Sequence, residues 1–171
     1  MMEVVDMSST VDWLKENKGI GDQAAREVGY SRSQLVDVIL DDFSKADEYA
    51  DAIYRVAASK GAPRDVSGEL EDFVRMVKAG TSRVRNDGPF IQRTASAFKG
   101  IHSPEEVKLI IRGALPHAPN DDAKRSLDNL MKSMDTASER IESGGNLAWC
   151  LAGCVICGEG CLICCTIMLA D

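Results

Sequence analysis

The sequence predicts an all-α protein, and three observations carry that prediction. Apolar residues recur at intervals of three and four along most of the chain, which is the helical period. No segment alternates apolar and polar residues as a half-buried strand does. Aromatic residues are 5% of the chain, too few for a β-sandwich or barrel, which rely on aromatic and β-branched strands. The expected architecture is a bundle of about six to seven amphipathic helices over residues 1–145. Residues 146–171 follow as an apolar, Cys/Gly-rich C-terminal helix or hairpin, buried centrally or inserted in a membrane.

Each element has its own signals. Residues 10–17 form a short helix, with Ser9 or Thr10 as cap and Gly19 at its end. Residues 22–28 form a second, closed by Gly29. Ser31 and Gln34 have capping-box spacing, and Leu35, Val36, Ile39, Phe43, Ala46, Ala50, Ile53 and Ala57 follow on one stripe. This third helix is expected to run unbroken to about Lys60, where Gly61 and Pro63 stop it. A fourth fits 67–86, with Leu70, Phe73, Val74, Val77 and Val84 buried, and a short fifth fits 89–99, ended by Gly100. Ser103-Pro104-Glu105-Glu106 joins a cap, a proline at the first helical position and acids at the positive dipole end. That helix ends near Ala114. After a loop at 115–120, Asn120 opens a helix to about 142 with Leu127, Leu130, Met131, Met134, Ala137 and Ile141 inside.

Charge and composition exclude some functions. The 171 residues carry a net charge of −7, so the chain is a poor polyanion binder and nucleic acid is not an expected partner. The acidic start MMEVVDMSSTVDWLKEN has neither a basic region nor an apolar run, so no secretory signal is legible and a cytoplasmic or membrane-associated protein is expected. The chain contains no phosphate-binding glycine loop, dinucleotide fingerprint or nucleophile elbow. His102 and His117 are the two histidines, both in loops or caps and outside any metal or triad spacing. No catalytic residue and no cofactor is assigned, and an enzyme is the less favoured class. Cationic residues between positions 75 and 99 (Arg75, Lys78, Arg83, Arg85, Arg93, Lys99) are the candidate contact for anionic headgroups.

The segment that demands explanation begins after Gly144-Gly145. Nineteen of the 24 residues 147–170 are hydrophobic, and all six cysteines, Cys150, Cys154, Cys157, Cys161, Cys164 and Cys165, lie there. A helix of that length spans about 36 Å, against about 30 Å for a bilayer core. At 100° per residue the six cysteines fall within an arc of about 100°, with Gly153, Gly158 and Gly160 at its edges. Leu151, Val155, Ile156, Leu162, Ile163 and Ile167 cover the remainder, with Glu159 opposite the cysteines.

This pattern supports several readings. The segment is the central helix of a bundle, its small face admitting a close neighbour. Alternatively it enters a membrane. There the four-residue spacing of small residues suits helix association, Trp149 anchors at the interface, and Glu159 must be neutralised or paired. Gly158-Glu159-Gly160 could then be helix or the turn of a re-entrant hairpin. S-acylation of the clustered cysteines would reinforce anchoring. A thiolate metal site on Cys154, Cys157, Cys161 and Cys164 is disfavoured, because three residues between the C-x2-C pairs fit neither zinc ribbons nor ferredoxins. A peptide-precursor reading rests on the double glycine before a Cys-rich tail. In architecture alone, the plan resembles colicin-type bundles that shelter an apolar helix and release it at a membrane. The expected function is therefore non-enzymatic membrane association, extending to perforation, with lipid or a helical protein as partner and homo-oligomers as one form. The alternative is a soluble helical interaction domain.

Overall fold

The computed structural model describes residues 7–86, 89–100 and 103–137, with side chains through Lys132. Among these residues the chain is all-helical. Eight α-helices follow in order: α1 Ser8–Glu16, α2 Ile20–Val28, α3 Arg32–Asp41, α4 Ser44–Ser59, α5 Arg64–Asn86, α6 Pro89–Ser96, α7 Pro104–Ala114 and α8 Asp121–Ala137. A single 3-10 turn, Leu115–His117, lies between α7 and α8.

Most boundaries follow from cap chemistry. At α3 the Ser31 hydroxyl accepts from the Gln34 N–H while the Gln34 side chain accepts from the Ser31 N–H, a complete capping box. Ser103 accepts from the Glu106 N–H at α7, and Asn120 accepts from the Ala123 N–H at α8. Gly29 ends α2 at φ 108°, a backbone that residues with a Cβ adopt only at a cost, and its N–H returns to Ala25 and Arg26.

α2 begins at Ile20 rather than 22 and α6 ends at Ser96 rather than 99. Three further boundaries differ from expectation. Ser9 and Thr10 are not caps but lie inside α1, which starts at Ser8. The Thr10 N–H is met instead by the Glu69 carboxylate of α5 at 3.0 Å, and the Thr10 hydroxyl donates to the Val66 carbonyl. A tertiary contact thus replaces a local cap. The helix expected at 67 starts at Arg64, where the Pro63 carbonyl receives the Ser67 N–H and the proline lies just outside the first turn. The third difference is the largest. Residues 31–60 form two helices, because Asp42 is extended at φ −150°, ψ 99°. The Asp42 carboxylate accepts from both the N–H and the hydroxyl of Ser44, starting α4 anew. The split raises the expected six or seven amphipathic helices to eight among the described residues.

The core gathers around α4. Ala46, Tyr49, Ala50, Ala52, Ile53, Val56 and Ala57 are buried on it, and it packs on α5, α2 and α3. These positions share one broad face, while Glu48, Arg55, Ala58 and Ser59 on the other side are exposed, so α4 is an amphipathic helix with its buried face at the centre of the core. Ala24 and Ala25 of α2 and Ala46, Ala50, Ala52 and Ala57 of α4 are fully buried; small residues let helix axes approach. Leu35, Ile39, Leu40, Leu70, Phe73, Val77, Phe90, Ile91 and Phe98 fill the surrounding layer. α7 joins through Val107 and Ile111 and packs on α6 and α8, whose inner stripe is Ala123, Leu127 and Leu130.

Candidate functional site

The residues that the sequence singles out, Trp149, Cys150, Gly153, Cys154, Cys157, Gly158, Glu159, Cys161, Cys164 and Cys165, lie outside the described residues, as do His102 and the double glycine. His117 falls in the exposed 3-10 turn. Among the described residues no helix is long and apolar enough to cross a membrane, and no group of three or more His, Cys, Asp or Glu side chains could hold a metal ion.

The described residues do contain an ordered polar seam along the antiparallel α4 and α5 helices. The Thr81 hydroxyl donates to the Asp47 carboxylate at 2.8 Å, Lys78 pairs with Asp51 at 3.2 Å, and the Tyr54 hydroxyl donates to Glu71 at 3.1 Å. Asp47 is half-buried, and loss of hydration pushes its carboxyl above the usual carboxylate range. Thr81, Lys78 and Arg85 act in the opposite direction and Asp51 adds to the rise. Glu71 raises the Tyr54 phenol, since the hydrogen bond and the nearby charge both favour the protonated form.

Two open hollows flank this seam. One, about 350 Å³, lies where the start of α4 meets the end of α5 and the start of α6, lined by Phe43, Ser44, Thr81, Val84, Arg85 and Gln92 among others. The amides that a bound anion would need there are already engaged: Phe43 N–H to Gln92 and Ser44 N–H to Asp42. The Asp42 carboxylate at this helix start also repels anions. The other hollow, about 330 Å³, is lined by Asp51, Tyr54, Glu71, Val74 and Arg75, and its three charged groups already bond within the chain. In the first hollow the Ser44 and Thr81 hydroxyls donate to the Asp42 and Asp47 carboxylates.

The cationic stretch from 75 to 99 is largely committed within the chain. Arg75 pairs with Asp72, Lys78 with Asp51 and Lys99 with Asp41 at 2.8 Å. The Lys99 ammonium, with the Ser96 hydroxyl, holds the Asp41 carboxyl below the usual carboxylate range. Leu109 is the one large apolar side chain that stands exposed among the described residues, at 65%, and a single such residue is ordinary. No family model, no curated protein and no solved structure matches this chain.

Proposed function

We propose that this chain is a non-enzymatic helical protein that associates with membranes through residues 146–171 and perturbs them on insertion. The observation that carries the reading is the change of composition after Gly144-Gly145, where 19 of 24 residues are hydrophobic and all six cysteines share one side of a helical wheel. A helix apolar on all sides belongs in a core or in lipid. The described helices gather one hydrophobic core among themselves, with the buried face of α4 packed on α2, α3 and α5. That argues for lipid, or for a helical partner, as the destination of the tail. The cysteines and Gly153 and Gly158 form the small face on which copies of the segment would associate, and S-acylation of the cysteines would strengthen anchoring. Trp149 marks the interface. Glu159 is the opposing charge: about 2.5–3.5 kcal/mol against insertion at mid-bilayer on translocon scales measured for ionised residues.

Dye release from liposomes tests the reading. Wild-type protein should release dye and Glu159→Leu should release more, because the costly acid is gone. Equal release by wild type and a chain truncated after Gly145 would refute membrane action through the tail. In that case a soluble helical interaction domain would be the better description.

A further inference from the structure

The apolar stripe Leu35, Ile39, Phe43, Ala46, Ala50, Ile53 and Ala57 keeps helical spacing straight through the point where the helix breaks. An unbroken helix over 32–59 would present one continuous buried face about 42 Å long. The break therefore needs a cause outside the stripe: the Asp42 carboxylate starts α4 locally through Ser44, and α6 holds the end of α3.

In a continuous helix the Phe43 N–H would bond the Ile39 carbonyl and the Ser44 N–H the Leu40 carbonyl. Up to Asp42 the helical register holds, with the Asp42 N–H on the Val38 carbonyl at 2.8 Å. Beyond it, the Ser44 N–H turns to the Asp42 carboxylate, the Ile39 carbonyl accepts from the Asp42 N–H, and Gln92 takes the other two groups. Its Oε1 accepts from the Phe43 N–H at 3.1 Å and its Nε2 donates to the Leu40 carbonyl. Ser96, one turn further along α6, donates to the same carbonyl at 3.2 Å, and Lys99 binds Asp41 at 2.8 Å. Three side chains from one short segment thus grip the end of α3. The side-chain amide is suited to this, since it offers one donor and one acceptor at a fixed distance.

We propose that Gln92 is a latch that holds α3 and α4 apart, and that withdrawal of α6 lets residues 32–59 join into one helix. The two states exchange side-chain hydrogen bonds for backbone ones, so the element is bistable in the sense that conformational devices require. α6 also packs on α7, so displacement in the C-terminal part of the fold reaches the latch directly. This device stands independently of membrane association.

The test is the Asp42 Cα chemical shift in isotope-labelled full-length protein, which distinguishes extended from helical backbone. Wild type should be extended at this position. Gln92→Met keeps side-chain length and removes both hydrogen bonds, so Asp42 should move to a helical value while α1, α2 and α5 keep their shifts. Asp42→Ala, which leaves the latch intact, should keep position 42 extended. An extended Asp42 in a folded Gln92→Met protein overturns the proposal, because the break would then be encoded locally. Hydrogen exchange in the wild type provides a second readout that needs no variant. The Phe43 amide should open together with the α6 end amides of Ala97 and Phe98; independent, faster opening of Phe43 overturns the latch.

Discussion

Asp47 is a carboxylate that sits half out of water yet directs its oxygen at a hydroxyl rather than at a cation. Its raised pKa means that the ionised form is disfavoured in the fold relative to the unfolded chain. The cost is present in full above the folded pKa and is relieved as the pH falls toward the ordinary carboxylate value near 4. Asp47→Asn keeps an acceptor for Thr81 and removes the charge. It should raise the urea midpoint at pH 7, a gain that shrinks as the pH approaches 4. A variant equally stabilised at both pH values would mean that something other than ionisation is responsible. Asp41 has the opposite sign. Its lowered pKa gives stability present above the unfolded value and lost on acidification through the folded one. Being exposed and open to screening, it contributes little.

At the scale of elements, what the sequence discloses depends on how far a signal lies from its effect. The capping box of Ser31 and Gln34, the Ser103 cap and the Asn120 cap are local, and each starts a helix where the spacing predicts one. The α1 start and the α3–α4 break are not legible in this way. Glu69 reaches Thr10 and Gln92 reaches Phe43 across about fifty residues or more, and no window of sequence contains both partners. Periodicity is likewise silent about Asp42, because the buried stripe continues past it unchanged. The centrality of α4 was legible only as an alanine-rich stripe. The consequence is specific: Ala50 is fully buried, and Ala50→Leu would force three more carbons into a filled interface. That substitution should destabilise the fold by about 1–3 kcal/mol or more, measured by thermal or urea unfolding. A neutral result would show that the buried face of α4 tolerates expansion and is not closely packed.

Across the whole molecule, the described helices account for one core centred on the buried face of α4, and for ion pairs that link separate parts of the chain. The candidate site is a different matter. Its residues, from Trp149 to Cys165, were legible as chemistry from the sequence: composition, small-residue spacing and one buried-type acid. Their physical role depends on the medium that surrounds the segment, and a sequence alone carries no information about that. The central claim is that the tail serves a membrane and the helices before it stand without it. The most direct measurement is liposome flotation of the full chain beside the 1–145 truncation, with circular dichroism on both. The account predicts that the full chain floats, and that the truncation stays in solution and retains a cooperative helical signal. A full chain that fails to float, beside a truncation that has lost its helical fold, would contradict it and make the Cys/Gly segment part of the core.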